Sequence, residues 1–109
     1  GSAGSFFKNP VVTPLEFARI IDAAGDATVP HFILPGGMVK VPAAFLIDRC
    51  GLKGEREGGA AVYDRQPLVI VNATGTATPS DVLELERRII ATVHEKFGIS
   101  LTPEVEHIQ

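Results

Sequence analysis

Two stretches of the chain carry apolar residues at helical spacing directly behind a capping signal. Thr13-Pro14-Leu15-Glu16 joins an N-cap hydroxyl, a proline at the first helical position and a capping-box glutamate, and Phe17, Ala18, Ile21 and Ala24 recur behind it. The pattern predicts a helix over Pro14 to Ala24, stopped by Gly25. Thr78-Pro79-Ser80-Asp81 repeats the signal. Behind it Val82, Leu85, Ile89, Val93 and Phe97 form one apolar stripe against a face bearing Glu84, Arg87, Arg88 and Glu95, so the longest helix runs to Gly98. Pro42 opens a shorter helical run through Ala43, Ala44, Phe45, Leu46 and Ile47, and Gly51 follows where a left-handed cap is common.

Between these helices the pattern turns extended. Ser5-Phe6-Phe7 reads as a short strand entering a turn at Lys8-Asn9-Pro10, with Val11-Val12 beyond. Val39-Lys40-Val41 is a second short strand. The apolar runs Ala60 to Tyr63 and Leu68 to Val71, separated by Asp64-Arg65-Gln66-Pro67, read as a hairpin. Ile99 to Leu101 and Val105 to Ile108 give a last extended segment around Pro103. Asp26 to Gly37 suits a loop or irregular strand, and Leu52 to Gly59 a loop. Adjacent hairpins and short links favour an α+β, two-layer domain with helices packed on one face of a largely antiparallel sheet over a βαβ repeat.

Composition narrows the class. A length of 109 residues suits one domain, and 45% hydrophobic against 21% charged residues allows a real core. A net charge of -3 without a basic run argues against a nucleic-acid surface and leaves small molecules or protein as partners. Cys50 stands alone, no Cys/His spacing suits zinc, and no apolar stretch is long enough to span a bilayer. A reducing, cytoplasmic setting is expected. The start at Gly1-Ser2, with no Met and with structured-looking sequence close behind, reads as the beginning of a fragment. The Asn72-Ala73-Thr74 sequon reads as a chance occurrence.

Residue chemistry alone marks no site. Gly36-Gly37 and Gly58-Gly59 lack the six-residue phosphate fingerprint and read as turns. Ser5 has no nucleophile-elbow context, His31, His94 and His107 are scattered, and the Glu104/Glu106 pair suits a solvated strand edge. Lys53, Arg56 and Arg65 near the glycines suit either a diphosphate or plain solvation.

Ordered blocks of sequence carry a more specific message. Ala3-Gly4-Ser5-Phe6-Phe7-Lys8-Asn9-Pro10-Val11-Val12 resembles the segment that opens the third, substrate-binding domain of the UDP-N-acetylenolpyruvoylglucosamine reductases. Val41 to Gly54, Gly58-Gly59-Ala60-Ala61-Val62, Gln66 to Asn72 and Pro103-Glu104-Val105 resemble the same domain in the same order. The resemblance implies an FAD enzyme of peptidoglycan precursor synthesis, reduced by NADPH, that passes hydride to the methylene carbon of an enolpyruvyl ether and yields UDP-N-acetylmuramate. It implies two catalytic residues, Ser5 as proton donor to the ether-bearing carbon and Glu104 beside the substrate carboxylate, where a retained proton or polarised hydrogen bond favours the enol form. It implies Asn9 and Gln66 as uncharged donors to the substrate, with Lys8 as a further contact. The FAD-binding domains, with the family's catalytic arginine, are expected outside this chain, as partners of it, so that the chain alone is inactive. Glu106, Tyr63 and Thr102 depart from residues common in the family, respectively arginine, histidine and an acidic residue. Two readings from other classes stay open: a stand-alone small-molecule-binding or regulatory module, and a protein-interaction domain if the Val82–Phe97 stripe is exposed.

Overall fold

The computed structural model describes residues 2–25, 28–63, 69–72 and 76–108, of which 2–6, 69, 71–72 and 105–108 are described by their backbone alone. In chain order the elements are β1 (Ser2–Phe7), β2 (Val11–Val12), α1 (Pro14–Ala24), β3 (Phe32–Ile33), β4 (Val39–Lys40), α2 (Ala43–Arg49), β5 (Arg56–Glu57), β6 (Ala60–Val62), β7 (Val69–Asn72), α3 (Pro79–Phe97) and β8 (Pro103–Ile108).

Both capping boxes form. The Glu16 N–H donates to Thr13 Oγ1 at 3.1 Å and the Thr13 N–H to Glu16 Oε1 at 2.8 Å, while Gly25 stops α1 in the left-handed region. At α3 the Asp81 N–H donates to Thr78 Oγ1 at 3.1 Å and the Thr78 N–H to Asp81 Oδ2 at 3.0 Å, with Gly98 as the left-handed stop. These reciprocal bonds satisfy amide groups that a helix start otherwise leaves unpaired.

The strands make two antiparallel sheets, a five-stranded one in the order β5-β6-β7-β1-β8 and a three-stranded one in the order β2-β4-β3. Helix α3 lies against β1, β5, β6 and β7, and α1 and α2 pack against α3. All five residues of the apolar stripe, Val82, Leu85, Ile89, Val93 and Phe97, are buried, each worth roughly 1.5–3 kcal/mol of burial. The stripe is therefore the core face of α3, which removes the ground for reading it as a docking face. Phe7, Ile20, Leu46, Ile47 and Ile70 complete the centre of the core. The result is the expected α+β domain with antiparallel sheets and helices packed on the larger one.

Two short features differ from the pattern-based expectation, and a third takes one of two expected forms. Leu52 to Gly59 holds a strand, β5, which pairs Arg56 with Ala61 and Glu57 with Ala60. It is held by tertiary contacts: from α3, Arg88 Nη1 donates to the Arg56 carbonyl at 3.0 Å and Nη2 to Glu57 Oε1 at 2.5 Å. Asp26 to Gly37 takes the strand option in part: β3 is folded back on β4 by a tight turn in which the Leu34 N–H donates to the Met38 carbonyl at 2.8 Å. The last strand starts at Pro103, leaving Ile99 and Leu101 as buried plugs rather than ladder residues. The expected hairpin strands pair as β6 and β7, and their connection, 64–68, lies outside the described residues.

Candidate functional site

The longest ladder of the large sheet is β1·β8, at one edge. Its register sets Ser5 opposite Val105, Phe6 opposite Glu104 and Phe7 opposite Pro103, and the Lys8 N–H extends it by donating to the Thr102 carbonyl at 2.9 Å. On its other side β1 pairs with β7, Ser5 opposite Ile70. The backbones of Ser5 and Glu104 thus stand on adjacent rungs of one ladder, although 99 positions separate them in sequence (104 − 5).

Alternation along a strand sends successive side chains to opposite faces. Phe7 is buried, so Lys8, the next residue, lies on the face turned away from the core. Glu104 is two residues beyond Lys8's partner Thr102, a diagonal neighbour on that same face and within reach of a long side chain. Lys8 Nζ stands 3.9 Å from Glu104 Oε1, with the two side chains 59% and 51% exposed.

Asn9 follows at the exit from β1, and its side chain performs a task that spacing does not reveal. Its Oδ1 accepts the Ala43 N–H at 2.9 Å, across 34 residues. Ala43 opens α2, and Pro42 at the N-cap has no side chain able to accept that bond. Asn9 is therefore a tertiary cap for α2. An amide that accepts through its oxygen is fixed in one orientation, so Nδ2 is left with two N–H donors and no acceptor capacity toward a ligand. Ser5's hydroxyl is outside the described side chains, and Gln66 lies outside the described residues. The described chain resumes after Gln66 at Val69, which pairs with Phe6.

The other sequence candidates separate from this cluster. The Gly58-Gly59 turn is occupied by protein: the Gly59 N–H donates to Asp81 Oδ2 at 3.4 Å, and a Cβ on Gly58 would sit 2.5 Å from that carboxylate. A carboxylate there repels a phosphate, so this turn does not fit an FAD pyrophosphate, and Gly36-Gly37 closes the β3–β4 turn with the Gly37 N–H donating to the Leu34 carbonyl at 3.0 Å. Asp81 itself has its pKa lowered chiefly by the Thr78 N–H, against a smaller effect of desolvation and with help from the Gly59 N–H. His31 bonds the Val29 carbonyl at 2.8 Å and stacks on Phe17 at 4.4 Å between ring centres, and His94 is exposed on α3. Lys53 and Arg56 are exposed, Arg65 lies outside the described residues, and among the described residues no cluster of His, Cys, Asp and Glu suits a metal. Burial raises the Cys50 thiol pKa, only partly offset by Lys96. Among the described residues no helix is long and apolar enough to cross a membrane.

Comparison with known proteins places this ladder in context. The family model for the UDP-N-acetylenolpyruvoylglucosamine reductase C-terminal domain matches residues 1–108. Proteins named UDP-N-acetylenolpyruvoylglucosamine reductase are similar along nearly the whole chain: one from Pasteurella multocida is 47% identical over 108 residues, covering 99% of this chain and 31% of its own length. One from Burkholderia ambifaria is 51% identical over 104 residues, covering 95% and 29%, and one from Chromobacterium violaceum is 48% identical over 104 residues, covering 95% and 30%. The chain thus spans about 30% of the length of these curated relatives. With a match along residues 1–108 and relatives about half identical along nearly its whole length, this chain belongs to the family of UDP-N-acetylenolpyruvoylglucosamine reductase C-terminal domains.

Proposed function

We propose that this chain is the substrate-handling and proton-donating domain of a cytoplasmic reductase that converts UDP-N-acetylenolpyruvoylglucosamine to UDP-N-acetylmuramate in peptidoglycan precursor synthesis, with NADPH as reductant. The observation that carries this reading is the match of residues 1–108 to the reductase C-terminal domain family, with Ser5 and Glu104 at the positions the resemblance marks. FAD, when bound by the remainder of a full-length protein about three times as long, would supply the hydride chemistry at the methylene carbon of the enolpyruvyl ether.

The chain's own residues handle what the hydride leaves behind. Negative charge develops at the ether-bearing carbon and spreads into the adjoining carboxylate. The Ser5 O–H donates its proton to that carbon, and the resulting alkoxide recovers one from solvent or a neighbouring acid. Glu104, at the substrate carboxylate, stabilises the enolic form before the proton arrives. The Asn9 amide donates through Nδ2 to an acceptor oxygen of the UDP-sugar, in the orientation set by the bond from the Ala43 N–H to Oδ1. Gln66 adds a second uncharged donor.

The test is turnover by the full-length protein with NADPH and the enolpyruvyl ether, alongside UDP-N-acetylglucosamine as a control lacking the alkene. Consumption of NADPH only with the ether supports the proposal, as does a colourless isolated 109-residue chain. No turnover by flavin-loaded protein, or stoichiometric flavin on the isolated chain, contradicts it.

A further inference from the structure

We infer that Lys8 is a positioning residue for Glu104 and not a substrate contact; the inference rests on the proposed role of Glu104. Glu104 sits on β8, at the edge of the five-stranded sheet, with its side chain half exposed. A glutamate in that setting has several rotamers open to it, and a group that must meet one atom of a ligand gains from having its rotamer restricted before binding. Among the described residues the cation at its carboxylate is Lys8, 3.9 Å away.

Lys8 is well placed to act as the fixed partner. Its backbone is tied to Thr102 at 2.9 Å, one rung past the paired Phe7 and Pro103, so its Cα is held relative to β8 by the same ladder that holds Glu104. The ammonium reaches along the diagonal to within 3.9 Å of one carboxylate oxygen, Oε1, a charge contact that biases the side chain without a hydrogen bond. An ion pair this exposed adds little to stability, so its consequence is where the carboxylate points. Asn9, the next residue, is tied in the opposite direction, to α2. The turn after β1 thereby sets two side chains at once, one against β8 and one against α2.

The experiment is steady-state kinetics of the full-length reductase carrying Lys8→Met, Lys8→Arg, Glu104→Gln and the Lys8→Met/Glu104→Gln pair. Methionine keeps the apolar stem and removes the charge at an exposed position. Lys8→Met is expected to lower kcat about fivefold with KM within about twofold, and Lys8→Arg to restore most of the loss. In the Glu104→Gln background Lys8→Met is expected to change nothing further, because the group it acts through is gone. A several-fold rise in KM for Lys8→Met, or an equal loss in both backgrounds, overturns the positioning role and leaves Glu104 as proposed. Unchanged kinetics of Glu104→Gln overturn the role of Glu104 itself, and the inference with it.

Discussion

Asn9→Ala deletes the acceptor that closes the first turn of α2. Ala43 is fully buried, Pro42 offers no replacement, and α2 is seven residues long, so a frayed first turn is a large part of the helix. Loss of a helix cap costs about 1 kcal/mol, and leaving a partly shielded N–H without an acceptor raises this to about 2 kcal/mol. For a domain of this size that is a fall of about 4–10 °C in melting temperature, read by circular dichroism on the isolated chain. Asn9→Asp separates the two tasks of the residue. It retains an acceptor for Ala43 and puts negative charge at a helix start, so the chain should melt within about 2 °C of the parent. It also removes the outward N–H donors and sets a carboxylate against a phosphorylated ligand, so the full-length enzyme should show KM raised at least about tenfold. Parental melting of Asn9→Ala, or equal destabilisation by both substitutions, would refute the capping argument.

Two further expectations concern the junction of α3 with the β5–β6 turn. Gly58 has φ +55°, and a Cβ there meets the Asp81 carboxylate at 2.5 Å, so Gly58→Ala should cost about 1–3 kcal/mol in urea denaturation; parental stability would contradict this. Asp81 prefers its charged form in the folded chain, so its stabilisation is present in full above the ordinary carboxylate value of 3.8 and is lost as pH falls through the lower folded value. Asp81→Asn should therefore melt below the parent at neutral pH and converge with it in strong acid, and a gap independent of pH would count against the assignment.

Local signals explain what was legible in the sequence. Both capping boxes and both glycine stops depend on residues within one turn of the helix end, so α1 and α3 begin and end where Thr13, Gly25, Thr78 and Gly98 put them. The α3 stripe was legible because burial follows the helical period. The two-residue strand β5 was not, since it has no periodicity of its own and depends on Arg88, 31 residues from Glu57. The tertiary cap by Asn9 was hidden for the same reason, its partner being 34 residues away. The Lys8–Glu104 diagonal follows only once the β1·β8 register is known. Ser5 and Glu104 were singled out by resemblance to a family, because nothing in their immediate neighbours separates them from ordinary strand residues.

Under the proposed function this chain brings the proton donor to a reaction whose hydride comes from elsewhere in the full-length protein. Stopped-flow absorbance of full-length Ser5→Ala tests it by watching the flavin in two half-reactions. Flavin reduction by NADPH at the parental rate is expected, followed by failure of the enolpyruvyl ether to reoxidise it. Reoxidation at the parental rate would exclude Ser5 as the donor and contradict the account.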